Sequence, residues 1–193
     1  MDNPYLNKFS QLHSNRIEQK EDGWETYNDK EMAADKKYSQ FRDEWARKYA
    51  WAIPDKKAIE ILVEHSPIVE IGAGTGYWAK LVDEEGGDII CYDIEPPSES
   101  DQWYPVKEGD HTDASHHPDR TLFLSWVSYS EDWGAKALDN YEGDTVIVIG
   151  EGSGGCTGNK EFHRRLEANW ETEAIYYIPQ WYGLHDYMRV YKR

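Results

Sequence analysis

The sequence predicts an α/β domain built on a mostly parallel sheet with helices on both faces. Three observations predict it. From Ile68 onward, short apolar runs alternate with stretches of helical periodicity. The runs, such as Ile68–Ile71 and Thr145–Ile149, are continuous in hydrophobicity, as strands buried on both faces must be. A glycine-rich turn, Gly72 to Gly76, joins the first run to the first helical stretch after it.

Before that turn the chain reads as helical. Tyr5, Leu6, Phe9, Leu12 and Ile17 recur at roughly helical spacing, and Gly23 breaks the pattern. Asn28 with Glu31 reads as a capping box. Ala34, Tyr38, Phe41, Trp45 and Tyr49 then mark one face of a helix over about 29–50. An aromatic face with a charged back must pack against something, either the main core or a ligand site as a lid. Pro54 and Asp55 open a third helix, Lys56 to about His65, and Pro67 stops it.

The strands follow. The first is Ile68–Ile71, with a helix over Tyr77–Glu85 ended by Gly86 and Gly87; the second is Asp88–Asp93, then a loop with Pro96 and Pro97. Trp103–Val106 reads as a short third strand and Thr121–Val127 as a fourth, followed by a helix over Glu131–Leu138. Asp144–Gly150 is a fifth strand, and the glycine-rich loop after it leads to a helix over Asn159–Ala168. Glu173–Ile178 and Tyr187–Tyr191 complete seven strands. The expected organisation is a helical segment, residues 1–67, packed on or capping residues 68–193 as one structural unit.

Composition bounds the function. The 193 residues carry 21 basic and 37 acidic side chains, a net charge of −16, with no basic run longer than two residues. That argues against duplex nucleic acid and anionic membrane as partners. The apolar runs are far too short to span a bilayer, and the polar opening residues lack a secretory signal, so a cytoplasmic protein is expected. Cys91 and Cys156 form no paired motif, which disfavours a disulfide framework or a cysteine zinc site. Nine Trp and fourteen Tyr must serve core, interface or pocket.

The chemistry-bearing motif is Glu70, Gly72, Ala73, Gly74, Thr75, Gly76 and Tyr77 between a strand and a helix. The glycines allow a tight turn and close approach of a ligand, and the helix offers its amino end to polar or anionic groups. A dinucleotide fingerprint needs a third glycine five residues after the first; here that position is Tyr77 and the glycine stands one earlier. An acid, Asp93, ends the next strand, where its carboxylate can accept from two vicinal hydroxyls.

Glu70 followed by Gly-x-Gly-x-Gly, with Asp93 beyond, resembles the first motif of the class I S-adenosylmethionine (SAM)-dependent methyltransferases, over about residues 68–193. The resemblance implies a Rossmann-like doubly wound, mostly parallel seven-stranded sheet with an antiparallel last strand. It also implies SAM as cofactor. Glu70 would lie near the methionyl end, the glycine loop under ribose and amino acid, Asp93 on the ribose hydroxyls and Ile94 on adenine. Asp110, with Asp113 as rival, would meet the adenine amine, and Trp126 would lie beside the cofactor.

The acceptor side departs from the family. Amine-methylating members carry a polar residue, two prolines and an aromatic after the fourth strand. Setting Tyr129 on the aromatic puts Trp126 at the polar position and Val127 and Ser128 on the prolines. Tyr129 and Glu151, at the end of the fifth strand, are the candidates for acceptor chemistry. Ser125, Gln180, Trp181, Tyr182 and His185 are the candidate substrate pocket, because ligands bind beyond the carboxyl ends of parallel strands. The histidines from His111 to His117 lack metal-ligand spacing, so no metal is expected, and Cys156 has no evident base. The acceptor would be a small molecule or a protein. The altered motif leaves open a non-catalytic SAM-binding module or, more remotely, a SAM-cleaving enzyme.

Overall fold

The computed structural model of the chain describes residues 2–20 and 29–193. The helix break expected at Gly23 and the capping box expected at Asn28 lie outside the described residues. Helix α1 (Pro4–Lys20) and helix α2 (Asp29–Lys48) precede α3 (Lys56–Glu64), whose first turn is capped by Asp55 accepting from the Ala58 amide.

Seven strands follow in one sheet: β1 (Ile68–Ile71), β2 (Ile89–Asp93), β3 (Lys107–Glu108), β4 (Thr121–Ser125), β5 (Thr145–Gly150), β6 (Glu171–Tyr177) and β7 (Tyr187–Lys192). Their order across the sheet is β3-β2-β1-β4-β5-β7-β6. The first five run parallel, and β7 is antiparallel to both β5 and β6. This is the doubly wound sheet the alternating pattern predicts, with its order reversing between β1 and β4. Ligands bind at such a reversal, beyond the carboxyl ends of the strands.

Helix α4 (Tyr77–Glu84) follows β1, α5 (Trp133–Asn140) follows β4, and α6 (Lys160–Asn169) follows β5. Two cores sandwich the sheet. One joins α1 to α4 through Tyr5, Phe9, Tyr49, Leu62, Trp78 and Leu81 to Phe123 and Ile147. The other joins α5 and α6 through Leu138, Phe162 and Leu166 to Val69, Leu124 and Val146. The aromatic face expected on the second helix is therefore core: Tyr38 and Tyr49 are buried, and Trp45 packs against them.

Several boundaries shift by one or two residues, and two of the differences have a clear physical reason. The third strand is Lys107–Glu108 rather than Trp103–Val106. The Trp103 amide donates to Thr75 O and the Val106 amide to the Gln102 side chain, so these donors serve a loop and not a ladder. The fourth strand stops at Ser125 because Trp126 turns into the left-handed region, with φ of 54°.

Candidate functional site

The site is built at the carboxyl ends of β1, β2 and β4. After β1 the chain turns through Gly72, Gly74 and Gly76, with φ of 77°, 54° and 72°. A side chain at Gly72 would strike the Trp133 ring, and one at Gly76 the Tyr104 carbonyl, each at 2.8 Å. At Gly74 nothing lies within 4 Å, so this glycine keeps an open face. The Gly74 amide donates to Asp93 Oδ2 at 2.8 Å, and the Glu95 amide donates to Asp93 Oδ1 at 3.0 Å. One carboxylate thus ties the glycine loop to the end of β2 and keeps lone pairs for a ligand.

A cavity of about 270 Å³ opens beside this loop. Its floor is Glu70, Gly72, Ala73, Gly74 and Thr75, with Trp78 from α4 and Ser125 and Trp126 from the end of β4. Its outer wall comes from Arg47 in the last turn of α2 and from Tyr49, Ala50 and Trp51 between α2 and α3. That wall is fastened to the floor: Thr75 Oγ1 donates to Tyr49 O, and Trp103 Nε1 donates to Lys48 O at 2.6 Å. An open groove of about 730 Å³ adjoins it and shares Arg47, Thr75 and Pro97.

Glu70 is fully buried. Strand register sets it opposite Cys91, whose Sγ donates to Glu70 Oε2 at 3.7 Å. Burial pushes the Glu70 carboxyl up to about 8; the Cys91 thiol works against the rise and the negative Asp93 adds to it. That direction favours the neutral acid over the carboxylate. On the same wall the Trp78 indole N–H is buried with no partner among the described residues. A buried donor of this kind lacks an acceptor that a ligand can bring.

The other flank is organised around Trp126. Its left-handed backbone costs on the order of 1–3 kcal/mol. The Trp126 amide donates to Ile149 O at 2.8 Å, and its indole Nε1 donates to Asp186 Oδ2 at 3.0 Å. The ring stacks on Trp51 with centroids 4.9 Å apart and planes at 12°. Asp186 is 1% exposed, and its Oδ1 has no partner among the described residues. Burial pushes its carboxyl up to about 6, against the Trp126 hydrogen bond and with the negative Glu151 adding to the rise.

Glu151 closes the loops behind this flank. Its Oε2 accepts from the Cys156 amide and its Oε1 from the His185 amide, both at 2.8 Å. Burial works to raise its carboxyl, but these hydrogen bonds outweigh it and hold the group below its usual value. Burial and the Glu151 carboxylate push the Cys156 thiol up to about 11, so it is not a thiolate at neutral pH.

The cavity brings together Glu70, Gly72, Ala73, Gly74, Thr75, Ser125 and Trp126, with Asp93 bonded to its glycine edge. Tyr77 lies behind it, its hydroxyl donating to Asn3 Oδ1. Other sequence candidates do not line it. Ile94 is 76% exposed and Tyr129 is 61% exposed. Asp110 caps a 3-10 turn through Thr112, with Asp113 returning a bond to the Asp110 amide. Gln180 donates to Asp186 O, and Trp181 is buried with its indole N–H donating to Tyr5 Oη at 3.0 Å. Tyr182 is 62% exposed, and the His185 ring nitrogen lies 3.4 Å from Glu151. Trp78, Arg47 and Asp186 escaped the sequence reading. A bulky tryptophan directly after the glycine loop was the one signal for Trp78; Asp186, in the connection from β6 to β7, gave none.

Among the described residues no group of three or more His, Cys, Asp or Glu is arranged to hold a metal ion, and no helix is long and apolar enough to cross a membrane. No family model matches the chain, and no curated protein matches it. Solved structures do. Magnesium protoporphyrin IX methyltransferase from Synechocystis, a crystal structure with bound SAM, is 12% identical with a TM-score of 0.54, over 89% of this chain and 100% of that one. A SAM-dependent methyltransferase from Archaeoglobus fulgidus is 13% identical with a TM-score of 0.51, over 81% and 94%. A protein solved in a study of the conversion of a disulfide bond into a thioacetal group during echinomycin biosynthesis is 13% identical with a TM-score of 0.50, over 81% and 92%. At such identities the likeness shows the fold, and that fold is the class I methyltransferase fold.

Proposed function

We propose that the chain is a SAM-dependent methyltransferase acting on a small-molecule or protein acceptor. The observation that carries this reading is the left-handed glycine loop locked by its Gly74 amide onto Asp93, with a cavity beside it floored by a buried Glu70.

The residues fit the cofactor. Asp93 accepts one backbone amide on each oxygen, keeps further acceptor capacity on both, and would take the ribose hydroxyls. The open face of Gly74 lets the ligand lie close on the backbone. Glu70 would meet the methionyl ammonium and give up its proton as it does so, because a positive neighbour favours the carboxylate. The unpartnered Trp78 N–H would donate to the methionyl carboxylate. When bound, SAM supplies a methyl group on a sulfonium, ready for displacement. The chain then has to align an acceptor and exclude water, which accounts for a site without a catalytic triad. Ser125 and the Trp51–Trp126 pair face the acceptor end of the cavity. Glu151 serves by fixing the loops there, and Tyr129, exposed beyond the cavity, would meet the acceptor and not the cofactor.

The net charge of −16 supports an acceptor other than duplex nucleic acid. Two free cysteines, with no disulfide among the described residues, support a reducing compartment, the cytoplasm. Calorimetry with SAM, S-adenosylhomocysteine and NAD tests the cofactor: heat with the first two and none with NAD is expected. Heat with NAD alone would sink the reading. Formation of S-adenosylhomocysteine across a metabolite and peptide panel then tests catalysis. A non-catalytic SAM-binding module is the second reading, favoured because Trp126 stands where amine-methylating relatives carry a polar group and its only N–H on the ring is spent on Asp186. Tight SAM binding with no turnover across the panel would select it.

A further inference from the structure

Among the described residues, Trp126 is the one non-glycine residue with positive φ. Its indole has a single polar atom, and that atom reaches Asp186, sixty positions along the chain. Its ring meets Trp51 from the segment between α2 and α3. Three distant segments therefore meet through one side chain: the outer wall of the cavity, the end of β4 and the connection from β6 to β7. Asp186 is itself fixed, since its main-chain carbonyl accepts from Gln180 Nε2 at 2.8 Å and β7 begins at the next residue.

Stability does not explain this acid. A buried carboxylate with one oxygen unpartnered loses hydration that a single indole N–H does not restore, and an apolar side chain of similar volume would cost less. Packing alone would be better served by leucine. What the carboxylate does that leucine cannot is hold the Trp126 N–H, and so the direction of the ring that walls the cavity.

We propose that Asp186 is a positioning residue of the ligand cavity: acting through Trp126, it holds the stacked Trp51–Trp126 pair in the one orientation that walls it. The proposal rests on the reading above only in taking this cavity for the ligand site.

Two indoles stacked this closely couple their transitions, and the couplet in far-ultraviolet circular dichroism reports the stack without any ligand. Trp51→Phe identifies the couplet by difference from the wild type. Asp186→Asn keeps an oxygen acceptor for the indole and should retain the couplet and the affinity for S-adenosylhomocysteine. Asp186→Leu removes the acceptor while filling the space. It should lose most of the couplet and weaken S-adenosylhomocysteine by about tenfold, a shift of roughly 1.4 kcal/mol, with no fall in melting temperature at neutral pH. Should leucine be too large to fold, Asp186→Ala gives the same loss of couplet and affinity, with a lower melting temperature from the cavity it leaves. A residue that merely stabilises the fold would move the melting temperature and leave the couplet alone. The proposal is overturned if Asp186→Leu or Asp186→Ala keeps the wild-type couplet and affinity, or if the wild type has no couplet that Trp51→Phe removes. A wild type that binds neither SAM nor S-adenosylhomocysteine would overturn the cofactor reading, while the couplet would still decide the role of Asp186.

Discussion

The two flanks of the cavity hold their polar groups by opposite means. On the β1–β2 flank the links span one strand–helix–strand unit or less: Asp93 accepts from the amides of Gly74 and Glu95, and Glu70 meets Cys91 on the neighbouring strand. On the β4–β5 flank the links reach further along the chain: Trp126 bonds Asp186 sixty positions away, and Glu151 bonds the amide of His185 thirty-four positions away. Both flanks bury a carboxylate, and burial pushes both carboxyls up, Glu70 to about 8 and Asp186 to about 6. The first lines the cavity and can be relieved by a ligand's positive charge; the second lies behind Trp126 and holds a wall. The same physical cost thus serves binding on one side and shape on the other.

The largest effect that would sharpen this contrast is at Glu70. Its folded pKa of about 8 lies above the ordinary 4.5, so the folded chain holds the extra proton between those values and loses stability as pH rises through them. Glu70→Gln should abolish that fall and gain on the order of 3–5 kcal/mol at high pH, read by urea unfolding, while SAM binding weakens. An equal pH dependence in wild type and variant would break the contrast. Asp186 follows the same sign over a lower window, from 3.8 to about 6. Asp186→Asn should therefore be more stable than the wild type by up to about 3 kcal/mol at neutral pH and indistinguishable from it in acid. Asp93→Ala should weaken SAM by about 1.5–3 kcal/mol in calorimetry, the usual loss for hydrogen bonds to a charged acceptor. The smallest stability effect is at Gly74, where only φ and not space opposes a side chain. Gly74→Ala should cost about 1–2 kcal/mol in thermal unfolding, and more than that in SAM affinity, because its open face is the ligand's approach.

The difference between the flanks also decides how much of the site the sequence alone discloses. The glycine spacing, Glu70 and Asp93 are legible because their geometry follows from neighbours in the chain, and the apolar runs fall within a few residues of six of the seven strands. The third strand lies after the run that predicts it, because Trp103 and Tyr104 look like strand residues, yet their polar groups answer to Thr75, Lys48 and Ile89. Trp181 looked like rim and is core, since its indole N–H meets a tyrosine 176 positions away. Asp186 was invisible for the same reason: one acid among 37 acquires its meaning from a tryptophan sixty residues earlier.

The insertion of β7 between β5 and β6 governs how the chain can be made. A ribosome delivers β6 before β7, so β6 emerges with no strand to pair with and β5 with one edge open. Tyr5 waits for Trp181, which is delivered 176 positions later. Until β7 has cleared the exit tunnel, β5 and β6 lack the strand that joins them, and until Trp181 has cleared it the aromatic cluster lacks its centre, exposure of the kind that favours aggregation.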